Sequence, residues 1–370
     1  MNAPPPHRGA ERSAGSAIQI GALVPLTRPG WVEAGRPLLA GLELAVAEVN
    51  DAGGIGGRPL KLMIRDTAAD PKRATLAVDE LARLGVAALA GEYHSVVARA
   101  AAARADALGL PFLCSSAVLD ALTEEPTEWV ARLAPAQSHG WQLYADFLLG
   151  AGHRRIAVAT EPSVYWASGA RILRDYLSPR GGSVIELDAR ALATAAVCDE
   201  LVRDRATALL LLVGFPEPAV SIVKAVRRDQ RLAGIMMGAP AGQPEFAEWL
   251  TLLGDDGAGV PFLRYLPERL SPLGVRVEAA LRKRLAGEPS FVAFEGYDTI
   301  AVLADLLRSH GPDRARIAES WPRVAVEGTR GQIQFSRAQG ISVWQWAWPP
   351  TQVVDRDPER PGRFRVRHAT

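Results

Sequence analysis

The sequence predicts an α/β fold of two lobes, each built around a mostly parallel sheet with helices on both faces. Two observations support this prediction. Apolar segments of strand length alternate with segments whose apolar residues recur at helical spacing, over most of the chain. Such alternation favours parallel strands whose sheet is covered on both faces. The 370 residues are also enough for two cores of ordinary size.

The first crossover unit carries the clearest local signals. Its first strand ends at Pro25, where an N–H for the ladder would be missing. Apolar residues at helical spacing over 38–49 predict a helix that ends at Asn50. The glycine-rich run 53–57 offers residues that adopt positive φ, and a strand follows it. Asp70-Pro71 then predicts a helix cap followed by proline at the first helical position.

The remaining elements continue this alternation. In the first run, helices are predicted over 74–84 and 95–108, and strands over 86–90, 110–114 and 128–133. The second run is predicted as helix 138–149 capped by Ser138, strand 155–160, helix 167–177, strand 183–187, helix 191–204, strand 208–213, helix 218–229, strand 234–238, helix 244–253 and strand 259–263. Helices 273–286 and 291–309 and strands 331–335 and 341–348 complete the pattern. The tail from Pro349 is predicted to be an extended edge or partly disordered.

Charge and hydropathy exclude two classes of partner. The chain has 42 basic and 41 acidic side chains, so no net field gathers nucleic acid or an anionic membrane surface. No apolar run approaches the roughly 18 residues that span a bilayer. We therefore expect no nucleic-acid partner and no direct membrane insertion.

The amino-terminal sequence and the cysteines bear on the compartment. Residues 1–17 contain no apolar segment of a secretory signal and are predicted to be a disordered tail. Cys114 and Cys198 fall in different predicted lobes, so a disulfide between them is not expected. These absences predict a cytoplasmic protein as the sequence is written. A trimmed or mis-annotated amino terminus would instead place it outside the cytoplasm.

The order of elements, together with Asn-Asp-Ala-Gly-Gly-Ile-Gly-Gly-Arg-Pro at 50–59 and Asp66…Asp70-Pro71, resembles the type I periplasmic solute-binding protein superfamily. The similarity is to its leucine-binding-protein-like branch, the branched-chain amino acid and amide-binding substrate-binding proteins of ABC transporters. It covers nearly the whole chain after residue 17.

The resemblance implies two Rossmann-like lobes, a three-crossover hinge and a ligand cleft between the lobes. Lobe I is then 18–134 with 264–337, and lobe II is 135–263 with 338–370. The implied crossovers lie near Pro135, near Leu263 and at 337–341. Secreted relatives carry a disulfide at positions that match Ala69 and His94, so that bridge cannot form here.

On lobe I, the resemblance implies ligand-binding loops after two strands. Ser95 matches a ligand-binding serine, and it is also in position for an ordinary helix cap, a role compatible with binding. Ser116 falls where a backbone group usually contacts ligand. Tyr93 and Trp31 are candidates for the pocket wall, with simple packing between loops as the alternative.

On lobe II, the resemblance points to aromatic side chains. Tyr165 matches a tyrosine that covers the ligand, Trp166 adds a second ring, and Phe215 takes a place often held by tyrosine. Val118 stands where the amino-acid binders have a threonine, and Pro240 where they have the acid that pairs with the α-ammonium group.

These two departures predict the ligand. A buried ammonium without a partner costs several kcal/mol. We therefore expect a ligand with a carboxylate or amide at one end and an apolar or aromatic body, preferred over its α-amino analogue. Four acids are candidates to replace the missing one, and each is predicted to be a solvated loop carboxylate instead: Glu33, Glu92, Glu161 and Glu217.

Catalytic signatures are missing from the sequence. It contains no G-x-S-x-G, Walker loop or C-x-x-C, and its six histidines lack metal-binding spacing. His94 and Ser95 are adjacent in sequence and are not predicted to form a catalytic dyad. The glycine-rich run 53–57 follows a helix, whereas a dinucleotide-binding loop follows a strand. A repressor of this fold would need a DNA-binding domain of roughly 50 residues before Ile18.

The sequence thus predicts a non-catalytic binding protein without cofactor or metal. The leading function is capture of a small solute, an amino acid, amide or aromatic or aliphatic carboxylate, for an ABC importer, with an ABC permease as partner. The alternative is a cytoplasmic ligand sensor that controls a partner regulatory protein, like the amide-responsive regulators of the same fold.

Overall fold

The computed structural model describes residues 16–122, 127–337 and 342–369. Most of the predicted tail, residues 1–15, lies outside the described residues, and so does 338–341 of the predicted third crossover. No helix in the described ranges is long and apolar enough to cross a lipid bilayer.

Strands and helices alternate through the described chain. The strands are β1 (Ile18–Val24), β2 (Leu60–Asp66), β3 (Ala88–Gly91), β4 (Phe112–Cys114), β5 (Val130–Arg132), β6 (Arg155–Thr160), β7 (Ser183–Asp188), β8 (Ala208–Leu212), β9 (Met236–Gly238), β10 (Phe262–Arg264), β11 (Ala325–Gly328), β12 (Gly331–Ser336), β13 (Trp344–Trp346), β14 (Gln352–Arg356) and β15 (Phe364–Ala369). The helices are α1 (Val32–Asp51), α2 (Pro71–Arg83), α3 (Ser95–Ala107), α4 (Gln137–Gly150), α5 (Val164–Leu177), α6 (Thr194–Arg203), α7 (Ala219–Arg228), α8 (Ala247–Leu253), α9 (Pro272–Leu285), α10 (Phe291–His310) and α11 (Arg314–Ala318).

The first sheet has the strand order β11-β12-β13-β5-β4-β3-β1-β2, and β1 to β5 within it are parallel. Helices α1 and α10 pack together on one face, and α2 and α3 on the other. The approach of α1 to α10 requires glycine, because a Cβ at Gly41 would lie 1.9 Å from the carbonyl oxygen of Ala293. Residues 291–310 therefore complete a core that residues 18–51 begin.

The second sheet has the order β7-β6-β8-β9 and is parallel throughout. Helices α4 and α5 pack together on one face, and α6, α7 and α8 cover the other. The strand β8 is buried along its whole length, as its unbroken apolar sequence predicts.

The structure corrects the predicted pairing of the strand at 259–263 and one of the two alternatives for the tail. The strand β10 does not extend the second sheet but pairs antiparallel with β14, which pairs with β15. The tail from Pro349 thus contributes two paired strands, and β14 is buried along its whole length, so the disordered alternative is wrong for this part. The charged residues of this tail did not indicate a buried strand from sequence alone. Asp355 is nevertheless buried, because it pairs with Arg365 and Arg367.

The third crossover also differs from its predicted place. The strand β13 pairs with β12 and with β5 in the first sheet, so the chain leaves that sheet only after Trp346. The predicted transfer of 338–370 to lobe II is therefore wrong for this strand. Its sequence pattern identified a strand, but strand partners are set by contacts distant in sequence.

Two helix starts differ from prediction for local reasons. The helix α1 begins at Val32 rather than near residue 38 and contains Pro37 within its first turns. The helix α4 begins at Gln137, and Ser138 is not its cap; the backbone N–H of Ser138 donates to the Asp120 carboxylate at 3.0 Å instead. The predicted Asp70 cap of α2 is confirmed, since its carboxylate accepts the N–H groups of Lys72 and Arg73.

Candidate functional site

A cavity of about 350 Å³ lies among loops that follow the carboxyl ends of strands in both sheets. Ligands of open α/β sheets bind at this edge. The cavity contains every side chain that the sequence singled out: Trp31, Tyr93, Ser95, Ser116, Tyr165, Trp166 and Phe215. Their roles as ligand contacts remain a prediction, but they share one enclosed space.

Other lining residues were missed. Tyr265 follows β10 directly, Phe291 is the first residue of α10, and Gln243 and Arg28 come from loops. Tyr265 and Phe291 pack edge to face at 5.2 Å between ring centroids. The sequence position of Tyr265 could have identified it. This residue comes just after the predicted second crossover near Leu263, and a crossover between lobes borders the cleft.

Ser95 does not cap its helix. The cap residue of α3 is His94, and the Ser95 hydroxyl oxygen accepts the backbone N–H groups of Val118 and Leu119, each at 3.2 Å. The helix-cap interpretation is therefore wrong, and Ser95 instead fixes the loop after β4. The first turn of α3 also lines the cavity at 95–97, where helical N–H groups lack intrahelical acceptors.

Glu92 is completely buried, so its prediction as a solvated carboxylate is wrong. The Thr67 hydroxyl donates to it at 2.6 Å, and the backbone N–H groups of Tyr93 and His94 donate at 2.9 Å each. Burial raises the pKa of Glu92 to about 7. The carboxylate therefore shapes the loop that carries Tyr93 and Ser95.

The other three acids also have protein partners. Glu33 pairs with Arg28 at 2.7 Å, Glu161 accepts the Gly214 N–H at 2.6 Å, and Glu217 accepts the Ser221 N–H at 3.3 Å. Within the described residues, no aspartate or glutamate lines the cavity.

His94 and Ser95 do not form a nucleophile and base pair in this arrangement. The Nε2 atom of His94 accepts the Trp31 backbone N–H at 3.0 Å. Burial lowers the pKa of His94 to about 4, so the ring is neutral near pH 7. Both side chains therefore hold loops at the cavity wall.

Trp31 connects the two halves of the cavity. Its ring centroid lies 5.8 Å from Tyr93, 5.8 Å from Phe215 and 4.7 Å from Phe246. Beside it, the Arg28 guanidinium lies 3.6 Å from Glu248 of α8. Trp31 and Tyr93 thus both line the cavity and pack between loops, so the two alternatives hold together.

A buried charged cluster lies on α10 and the turn before β12. Arg330 donates to Asp298 at 2.9 Å and to Glu295 at 3.2 Å, and all three side chains are inaccessible to solvent. Burial raises the pKa of Glu295 to about 7, against the effect of Arg330. The Ser116 hydroxyl lies close enough to lower that pKa, but no hydrogen bond of normal geometry joins it to Glu295. Arg330 also donates to the Tyr265 carbonyl at 3.3 Å, which connects this cluster to the cavity wall.

Comparison with known proteins fits this geometry. The model of the periplasmic binding protein family matches residues 17–346. The chain belongs to the periplasmic binding protein family. The predicted family and the two-lobed type I fold are therefore confirmed.

Curated relatives of this periplasmic binding protein include Leu/Ile/Val-binding protein homolog 7 of Brucella melitensis, 30% identical over 185 residues. That match covers 46% of this chain and 45% of the relative, so it spans less than half of the relative's length. Leu/Ile/Val-binding protein homolog 1 of Brucella abortus is 36% identical over 85 residues, 23% of each protein.

Solved structures of similar fold include the leucine-binding protein LivK of Thermotoga maritima, with a TM-score of 0.81 and 19% identity, covering 95% of this chain and 98% of that one. LivJ of Streptococcus pneumoniae in complex with isoleucine has a TM-score of 0.78 and 19% identity, covering 95% and 99%. A Rhodopseudomonas palustris solute-binding protein in complex with benzoate has a TM-score of 0.78 and 17% identity, covering 95% and 96%. At these identities the likeness shows the fold.

Proposed function

We propose that this periplasmic binding protein captures a small carboxylate or amide with an apolar or aromatic body, without catalysis, as the substrate-binding component of an ABC importer. The observation that carries the proposal is the composition of the cavity wall. Aromatic rings contribute much of it, and no carboxylate lines it within the described residues.

The missing acid argues against an amino acid as the preferred ligand. An α-ammonium group that leaves water for this cavity would find no ionic partner there, at a cost of several kcal/mol. Val118 lines the cavity with a methyl-bearing side chain where a hydroxyl would help to hold a zwitterion. A ligand without the amino group avoids this cost.

The polar end of the ligand has a place on the first lobe. The first turn of α3 offers helical N–H groups, and the Ser116 hydroxyl has no hydrogen-bond partner of normal geometry within the described residues. Tyr165 and Trp166, whose centroids are 4.8 Å apart, lie on α5 of the second lobe. A carboxylate or amide at α3 would therefore direct its apolar body toward these rings.

Size and known ligands of the fold are compatible with this class. A volume of about 350 Å³ lies at the small end of ligand pockets. Related structures hold leucine, isoleucine, benzoate and 3,4-dihydroxybenzoic acid, so the fold takes both amino acids and aromatic acids. The wall of this cavity favours the second group.

The test compares ligands that differ only in the amino group. We expect isothermal titration to show 3-phenylpropanoate binding at least about tenfold more tightly than phenylalanine, and 4-methylpentanoate more tightly than leucine, because each amino acid must desolvate its ammonium. Tight binding of leucine or valine would refute the argument from the wall composition.

A pair of variants locates the site. Tyr165→Ala should weaken binding by roughly 1 to 3 kcal/mol if the ring covers the ligand. Tyr176→Ala is the matched control, because this tyrosine lies on the same helix but donates to Asp146 outside the cavity. Equal affinity of both variants and the parent would place the site elsewhere.

Uptake of the bound solute by cells that lack the protein tests the importer role. An importer component is required for uptake, so uptake should fall, whereas loss of a sensor would change gene expression and leave the uptake machinery intact.

A further inference from the structure

The side chain of Arg132, the last residue of β5, is buried and has no ion-pair partner among the residues that the structure describes. Its Nη1 atom donates to the carbonyl oxygens of Val118 and Leu119, each at 3.1 Å, and its Nη2 atom donates to Gln345 Oε1 at 2.7 Å. Within the described residues, no carboxylate forms a salt bridge with it, and the residue is 0% exposed. Buried charges are normally paired, so this one needs an explanation.

Arg330 shows the usual arrangement in the same lobe. It is equally buried, but it has two carboxylate partners, Asp298 and Glu295. Arg132 has only neutral acceptors. Burial lowers the pKa of Arg132 to about 10, and Asp120 opposes this only through space. The guanidinium therefore stays protonated near neutral pH, and its attraction to Asp120 acts at a distance, without a salt bridge.

The charge lies directly behind the cavity wall. Val118, which accepts from Arg132, lines the cavity, and its N–H donates to Ser95, which lines it as well. The loop at 118–119 is thus held between the cation and α3, whose amino-terminal turn adds positive partial charge to the same wall. Since none of the described lining residues is an acid, both features favour a negative charge inside the cavity.

We propose that Arg132 is a specificity-determining residue that makes this cavity select an anion, so that the ligand is a carboxylate rather than a neutral amide. This inference rests on the proposed function and resolves its choice between carboxylate and amide. Arg132 acts across one peptide unit, without touching the ligand, and interior charges are screened less than exposed ones. A ligand carboxylate would supply a negative charge on the cavity side of this loop, where no described acid lies.

The test uses the shape-matched pair benzoate and benzamide, measured by isothermal titration at pH 7, with 4-methylpentanoate and 4-methylpentanamide as a second pair. For the parent protein we expect the carboxylate to bind at least about tenfold more tightly, since tenfold corresponds to only about 1.4 kcal/mol. In Arg132→Met the ratio should fall to within about threefold, through weaker binding of the carboxylate and unchanged binding of the amide.

Two further variants separate charge from support of the loop. Arg132→Lys keeps the charge but loses the planar fork, so it should retain the preference for the carboxylate. Arg314→Met removes a cation that also donates to carbonyl oxygens, those of Val86 and Ala82, but outside the cavity, so its ratio should equal that of the parent.

The outcomes are distinguishable. Equal binding of acid and amide by the parent protein overturns the inference and leaves the proposed function in place. Persistence of the preference in folded Arg132→Met, or its loss in folded Arg132→Lys, also overturns it. If neither member of either pair binds, the proposed function fails, and the inference fails with it. If Arg132→Met does not fold, as circular dichroism would show, the parent ratio and the lysine variant decide.

Discussion

The hydroxyl of Ser95 stabilises two backbone groups, and its removal should cost more than removal of a helix cap. In Ser95→Ala the N–H groups of Val118 and Leu119 lose their acceptor. An unsatisfied buried donor costs about 1 to 3 kcal/mol. Both donor to oxygen distances are 3.2 Å, at the long end of the normal range, so the lower figure applies to each. We therefore expect a loss of about 2 kcal/mol in the free energy of unfolding.

Urea unfolding followed by circular dichroism measures this loss, with Ser163→Ala as the control. Ser163 is half-buried and accepts only the Tyr165 N–H as the cap of α5, so its removal should cost about 0.5 to 1 kcal/mol. Ser95→Thr keeps the oxygen and should retain more stability than Ser95→Ala. If Ser95→Ala proved no less stable than Ser163→Ala, the assignment of Ser95 as the support of the 118–119 loop would be refuted.

Three more predictions concern the cleft and the buried charges. Trp31→Ala should increase the radius of gyration of the ligand-free protein in small-angle scattering, because it removes a ring packed against both lobes. Trp344→Ala, which loses core packing and a contact with Arg337 but no ring contact between the lobes, should not. Glu92→Gln should gain stability relative to the parent between pH 5 and pH 8, by up to about 3 kcal/mol. The raised pKa of about 7 means that the parent loses stability as pH rises from 4.5 toward 7, whereas a neutral amide does not; parallel curves of unfolding free energy against pH would contradict this. Arg330→Met should cost about 3 to 5 kcal/mol in urea unfolding, because two buried carboxylates lose their ion-pair partner; a loss below about 1 kcal/mol would contradict this.

Local signals accounted for the parts of the fold that depend on neighbours in sequence. The strand β1 ends just before Pro25 as predicted, Asp70 caps α2, and seven predicted side chains lie together in one cavity. The carboxyl-edge rule is responsible for the last result, because it requires only the order of strands and helices.

Distant contacts account for what the sequence left open. The buried Glu92 carboxylate accepts from the hydroxyl of Thr67, 25 residues earlier. The Ser95 hydroxyl accepts from the N–H of Val118, 23 residues later. Neither partner is visible in a local pattern. Arg132 did carry a signal, since a lone arginine within the apolar run Trp-Val-Ala-Arg-Leu-Ala predicts a buried charge, but its partner Gln345 lies 213 residues away.

The position of β13 between β12 and β5 has a consequence for the order of folding. The second sheet and its helices are continuous in sequence, from α4 to α8, so this sheet can fold as soon as that segment has been synthesised, before β14 and β15 join α4. The first lobe begins earlier but must wait for α10 to cover α1 and for β13 to join β5. Closing such long loops is slow. We therefore expect the growing chain to carry a folded second sheet with its helices beside an unfinished first lobe. The apolar face of the first sheet then needs to be protected by chaperones until Trp346 has left the ribosome.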